Sequence, residues 1–159
     1  MGLVKKEHEI LRMRKAGGVV GDVLKHMREM IRPGVTTLEL DEAAERMIRK
    51  AGGLPAFKGY RVPGIPSPFP GTLCVSINEE IVHGIPTKER VVEEGDIVSI
   101  DVGVQLEGYF GDAACTYGAG EISPLRSKLL RVTLDSLHAA LSVARSGKTL
   151  GDIGHAVET

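Results

Sequence analysis

Two adjacent strand-like runs, IVSIDVGVQ and YFGDAACT within residues 96–118, constrain the fold more than any other feature of the sequence. In the first run, one face carries only aliphatic residues, at positions 98, 100, 102 and 104. The opposite face carries Ser99, Asp101, Gly103 and Gln105, because successive strand side chains point to opposite sides. The alternation predicts an antiparallel hairpin with one face packed on helices and the other facing a polar site.

Apolar residues at helical spacing surround this hairpin. They predict four helices, at residues 6–31, from Thr36 or Thr37 to about 51, at 124–144, and from Leu150 onwards. A loop rich in proline and glycine at 53–71 and a first hairpin at 72–86 complete the predicted elements. The sequence therefore predicts an α+β domain with antiparallel strands packed on helices.

A faint internal repeat runs through the predicted helices. At one constant spacing, a first set of residues recurs as a second set, namely Arg32, Gly34, Thr36 and Ala43 as Arg145, Gly147, Thr149 and Ala156. Each set would form a helix, a glycine break, a threonine cap and another helix. Chance similarity between two such units is the alternative. If the repeat is real, the second copy stops before its strands, which predicts an incomplete chain.

Composition excludes several classes of protein. The net charge is -1, with acidic and basic residues interleaved, so we expect no direct nucleic-acid partner. No apolar run is long enough to span a membrane, and no signal core precedes the first helix, so we expect a cytoplasmic protein without membrane attachment. Cys74 and Cys115 are too few for a disulfide framework and are expected to be reduced.

Strand parity brings two aspartates together. A two-residue turn at Leu106-Glu107 would place Asp101 directly opposite Asp112, and a turn one residue later would make them a diagonal pair on the same face. A three-residue loop without a bulge would separate them. Two neighbouring carboxylates repel each other unless a cation lies between them, and a pair of transition-metal ions would suit this arrangement. The alternative is two exposed aspartates on a solvated hairpin face, and spacing alone does not decide between them.

Three strings, FPGTLCVSINEEIVHGIP, GDIVSIDVG and GYFGDAACT, closely resemble the type I methionine aminopeptidases. The resemblance covers essentially the whole chain. It implies the pita-bread fold, two pseudo-symmetric halves around a dinuclear metal site. On this basis we expect one peptidase domain over 1–159, truncated at its C-terminal end. Residues 1–118 would be the N-terminal half, and 119–159 would contain the first helices of the second half.

The resemblance also implies roles for individual residues. Asp101 matches the aspartate that binds one metal, and Asp112 matches the aspartate that bridges both metals. His83 matches the histidine that contacts the substrate amide and stabilises the tetrahedral intermediate without binding metal. The residues that match the lining of the methionine pocket are Cys74, Tyr60, Phe69 and Phe57, for which plain core packing is the alternative.

The implied activity is removal of the initiator methionine from nascent proteins with a small second residue, by attack of a metal-bound hydroxide on the scissile amide. Two divalent ions (Co, Mn, Fe or Zn) would be required, and the remaining ligands, a histidine and two glutamates, are expected to be absent from this chain. The chain alone is therefore expected to be inactive. The ribosome is a candidate partner. The alternatives are an Xaa-Pro-type aminopeptidase and a non-catalytic pita-bread relative that binds proteins.

Overall fold

A computed structural model describes residues 4–61 and 63–159. Contacts divide the chain into two compact units, one extending to Glu121 and the other spanning Ile122–Thr159. In the first unit, helix α1 spans Glu7–Met30 and helix α2 spans Thr37–Lys50. Of the two threonines predicted to cap α2, Thr36 is the N-cap, because its hydroxyl accepts from the amide of Glu39 at 3.2 Å. The neighbouring Thr37 is buried instead, and its hydroxyl bonds the backbone of Thr87.

A small antiparallel sheet follows the two helices. Its strands are β1 (Leu54–Pro55), β2 (Leu73–Ile77), β3 (Ile97–Leu106) and β4 (Tyr109–Gly118). Strand β4 pairs with the whole of β3, so β1 and β2 share the other edge of β3. The aliphatic face of β3 is fully buried, and it shares one core with Val23 and Met27 of α1 and Leu40 and Ile48 of α2. Both helices thus cover one face of the sheet and leave the other face for the loop at 53–71.

The β3–β4 turn settles the register that the sequence left open. Asp101 is paired with Ala114 and Asp112 with Gly103, so the turn is Glu107-Gly108 and the aspartates are diagonal neighbours. Both turn residues have positive φ, 51° and 80°, as a tight type I′ turn requires. The strained Glu107 has compensating ion pairs with Lys15 at 3.0 Å and Arg12 at 3.9 Å on α1.

Part of the strand prediction is wrong. The run IVHGIP at 81–86 is not a strand, and β2 pairs with β3 instead of forming a hairpin with that run. The reason is the left-handed backbone of His83, φ 63°, which a regular strand excludes. The short strand β1 was missed, because two residues inside a proline-rich loop carry no periodic signal.

The second unit contains helices α3 (Pro124–Val143) and α4 (Leu150–Glu158). The segment between α3 and α4 has the same backbone features as the segment between α1 and α2, a glycine with positive φ followed by a threonine cap. Gly34 and Gly147 have φ of 91° and 85°. Thr149 caps α4 by accepting from Asp152, as Thr36 does from Glu39. Among the described residues of this unit none is buried. The exposed large apolar side chains of α3 are Leu125, Leu129, Val132, Leu134, Leu137 and Leu141. None of the helices in the described part of the chain could cross a membrane.

We expect Gly111→Ala to destabilise the first unit by about 1–3 kcal/mol, because a Cβ there would lie 2.6 Å from the amide nitrogen of Gly17 and 2.7 Å from the carbonyl carbon of Ala16. Helix α1 would have to move away from β4. The measurement is the midpoint of urea unfolding. Gly18→Ala is the control, since its Cβ meets nothing within 4 Å and should stabilise α1 by about 0.5–1 kcal/mol. Equal midpoints for the two variants would contradict the close approach.

Candidate active site

An open cleft of about 1310 Å³ lies in the first unit on the sheet face opposite the helices. The loop at 53–71 forms one wall and is fixed to the sheet by its backbone, since the Ala56 amide donates to the Gly103 carbonyl at 2.9 Å. Phe69 closes the loop on itself, donating its amide to Tyr60 and accepting from Gly59, both at 2.8 Å. The ring of Phe57 covers Gly103, where a Cβ would come within 2.6 Å of it. The loop thereby becomes an ordered apolar wall.

All seven residues predicted for the site line this one cleft, namely Phe57, Tyr60, Phe69, Cys74, His83, Asp101 and Asp112. Gln105 and Phe110 also line it, and sequence reasoning did not select them. Strand parity could have found both, because they share faces with Asp101 and Asp112 and are paired with each other. Ile65 also lines the cleft, and its position in an irregular loop left no signal.

The two aspartates form the polar end of the cleft. As diagonal cross-strand neighbours their Cβ atoms are about 7 Å apart, which lets both carboxylates reach toward one point between them. Burial raises the pKa of the Asp101 carboxyl, and the negative charge of Asp112 raises it further. A cation between the two carboxylates would favour their charged forms and would act against this rise in pKa.

His83 is held against β2 by its neighbour Gly84. The Val75 amide donates to the Gly84 carbonyl at 2.9 Å, and the Gly84 amide donates to the hydroxyl of Ser76 at 3.1 Å. No side chain fits at Gly84, where a Cβ would lie 2.1 Å from the Val75 carbonyl oxygen. This close contact places the His83 ring beside Cys74, with Nδ1 3.9 Å from Sγ. Burial and the charges of Asp101, Asp112 and Asp41 raise the pKa of that thiol to about 11.

A buried carboxylate fixes the start of β2. Asp41 of α2 is 4% exposed, and its Oδ1 accepts from the amides of Thr72 at 2.7 Å and Leu73 at 2.8 Å. Burial raises the pKa of this carboxyl, and the two amides act in the opposite direction. Asp41 therefore links the helix layer to the strand that carries Cys74 into the cleft.

In the absence of metal, we expect Asp101→Asn to stabilise the chain at neutral pH by about 0.2–1 kcal/mol, because it removes a like-charge neighbour. Because folding raises the pKa of Asp101, its charged carboxylate destabilises the folded chain at pH values above the ordinary aspartate pKa of 3.8. This destabilisation disappears as the pH falls toward 3.8. Thermal unfolding in a chelating buffer, at neutral and at acidic pH, measures both effects. Asp22→Asn, on the exposed side of α1, is the matched control. A wild type that is the more stable at neutral pH would contradict the repulsion.

The carboxylate oxygens of Asp101 and Asp112 are suitable ligands for a divalent metal ion, but they are too few to complete a site. Two adjacent carboxylates that repel each other are hard oxygen donors of the type found in dinuclear hydrolytic sites. Within residues 4–61 and 63–159, however, no group of three or more His, Cys, Asp or Glu side chains is arranged to hold a metal ion. Asp101 and Asp112 can thus supply part of a metal site.

The fold is an α+β scaffold with an open cleft, and Asp101 and Asp112 both line that cleft. The model of metallopeptidase family M24 matches residues 11–159, and the chain belongs to this family. It is 46% identical to methionine aminopeptidase 1 of Bacillus subtilis over 159 residues and 46% identical to the methionine aminopeptidase of Clostridium acetobutylicum over 158 residues. These alignments cover 100% and 99% of this chain but 61% of each relative.

A solved structure agrees with these relatives. The methionine aminopeptidase of Thermotoga maritima superposes with a TM-score of 0.91 at 42% identity, covering 98% of this chain and 60% of that chain. The predicted pita-bread fold and the resemblance to methionine aminopeptidases are confirmed. The chain spans about three fifths of the length of the relatives it matches.

Proposed function

We propose that this chain carries part of the active centre of a metal-dependent methionine aminopeptidase, which removes an N-terminal methionine when the next residue is small. The observation that carries the proposal is the convergence of Asp101, Asp112 and His83 on one cleft, in a chain 46% identical to an enzyme of that name. Nascent polypeptides would be the substrates, with the ribosome as a candidate partner. The cytoplasm, where such chains are made, is the proposed location.

Asp101 is proposed to hold one metal ion and Asp112 to bridge two. Divalent Co, Mn, Fe or Zn would supply Lewis acidity for the scissile carbonyl and acidify a water molecule. His83 is proposed to donate a hydrogen bond to the substrate amide oxygen and to stabilise the charge that develops there. A substrate bound between the carboxylates and this ring would have its amide positioned before reaction.

The apolar wall is proposed to bind the methionine side chain. Cys74 is 5% exposed at the floor of the cleft, whereas Tyr60 is 63% exposed at its rim. Phe57 and Phe69 also line the cleft, and both lie in the loop at 53–71. Sulfur and aromatic surfaces favour a flexible thioether, which makes contacts of about 0.3–1.5 kcal/mol with aromatic rings. Selectivity for methionine would follow from this lining.

The proposal can be tested in a chimera that joins Thr159 to the part of the Bacillus subtilis relative that this chain does not cover. Loaded with Mn²⁺ or Co²⁺, the chimera should release methionine from a Met-Gly-Met peptide and leave a peptide with a bulky second residue intact. A folded, metal-loaded chimera that fails on Met-Gly-Met would contradict the proposal. Preferential cleavage of an Ala-Pro peptide would favour the Xaa-Pro alternative. The 159-residue chain alone is expected to show little or no turnover, because two carboxylates provide few ligands.

A non-catalytic, protein-binding relative is the second candidate, since the described residues bring together only two acidic metal donors. Calorimetry on the chimera separates the two. A methionine aminopeptidase should bind divalent metal with an affinity that falls when Asp101 is replaced, whereas a protein-binding relative should show no such binding.

A further inference from the structure

The side chains of Cys74 and His83, which both line the cleft, contact each other. The contact joins Sγ to Nδ1 at 3.9 Å, within the reach of a sulfur hydrogen bond. Three backbone features hold the two residues in register. These are the β2–β3 pairing of Cys74 with Asp101, the bond from Val75 to Gly84 and the left-handed backbone at His83. The contact is therefore a consequence of the fold.

The direction of the hydrogen bond follows from what else surrounds the sulfur. The backbone N–H of His83 also interacts with the Cys74 sulfur and acts to lower the pKa of the thiol, but burial has the larger effect and raises it. Asp101 and Asp112 place negative charge nearby and favour the protonated thiol. The S–H proton is then free to point at the imidazole. A protonated thiol supplies an S–H donor, and Nδ1 is the acceptor within its reach.

We propose that Cys74 is a positioning residue for His83, whose thiol donates to Nδ1, fixes the ring proton on Nε2 and holds Nε2 directed away from β2. The two ring nitrogens of a neutral histidine have opposite roles, and the hydrogen bond at one sets the role of the other. With Nδ1 occupied, Nε2–H is the donor available to a bound carbonyl oxygen. The catalytic benefit rests on the proposed function, whereas the hydrogen bond and the tautomer do not.

Nitrogen-15 NMR of the histidine rings in the metal-free 159-residue chain tests the proposal. The spectrum is recorded about two pH units above the ordinary imidazole pKa of about 6.5, so that the rings are neutral. His83 should carry its proton on Nε2, with the Nδ1 signal displaced by hydrogen bonding relative to that of the exposed His155. A wild-type His83 protonated on Nδ1, or with the Nδ1 shift of His155, would overturn the proposal without any variant.

Cys74→Ala provides the second arm, and Cys115→Ala, at the exposed cysteine, provides the matched control. Loss of the thiol should abolish the Nδ1 displacement and raise the minor tautomer of His83 by about two- to tenfold, the range expected for one modest hydrogen bond. Cys115→Ala should leave the His83 signals in place. An unchanged His83 in a folded Cys74→Ala chain would contradict the role of Cys74. Because no turnover is measured, this result and a failed peptidase assay are distinguishable.

Discussion

Asp112→Asn in the chimera with the Bacillus subtilis relative is expected to lower kcat/KM on Met-Gly-Met by about a hundredfold to a thousandfold. The neutral amide that replaces the carboxylate would hold the proposed metal ions less well, and the loss of Lewis-acid stabilisation would be worth several kcal/mol, with about 1.4 kcal/mol for each factor of ten. Steady-state kinetics at saturating metal measures the effect.

The control for Asp112 is Asp22→Asn, the same chemical change on an exposed side of α1, which should leave kcat/KM within about twofold because surface substitutions are nearly neutral. The circular dichroism of both variants should match that of the parent, since Asp112 is itself exposed and supports no core contact. Full activity of Asp112→Asn would remove this residue from the metal centre. The rest of the cleft would then need another explanation.

Asp41→Ala is expected to lower the free energy of unfolding by about 2–5 kcal/mol, the second large effect. The variant leaves the buried amides of Thr72 and Leu73 without their acceptor, and each unsatisfied donor costs about 1–3 kcal/mol. For a domain of ordinary stability this is a large share of the total. Urea unfolding followed by circular dichroism measures it.

Asp41→Asn separates the hydrogen bonds from the charge. Asparagine keeps one side-chain oxygen as an acceptor for both amides and avoids the burial penalty that raises the pKa of Asp41. We expect the free energy of unfolding of Asp41→Asn to lie within about 1 kcal/mol of that of the wild type at neutral pH. A loss as large as that of the alanine variant would show that charge, and not the pair of amide contacts, holds β2 to α2.

The sequence predicted those parts of the fold that repeat along the chain. Helices α1 and α2 were found within about one residue of their ends, and the alternation in β3 placed Asp101 on the correct face. The register of β3 and β4 stayed open because Leu106-Glu107 and Glu107-Gly108 are both chemically possible turns. The structure selects the second, where Gly108 accepts a positive φ and ion pairs to α1 support Glu107.

The parts that failed depend on contacts between distant segments. The run around His83 has strand-like composition, but the tight contact of Gly84 with Val75 forces a left-handed turn that no local pattern reveals. The loop at 53–71 was predicted as a loop, whereas its course over Gly103 depends on tertiary packing of Phe57. The place of Ile65 in the cleft follows from that course. The residues that line the cleft were therefore easier to predict than its shape.

Titration of Mn²⁺ into the isotopically labelled 159-residue chain tests most directly the central claim, that Asp101 and Asp112 form part of a metal centre. Paramagnetic broadening should begin at the amides around Asp101, Asp112 and His83 and should disappear when both aspartates are replaced by asparagine. Broadening that begins at the acidic surface of α2 around Glu42 and Glu45, or that persists unchanged in the double variant, would contradict the account.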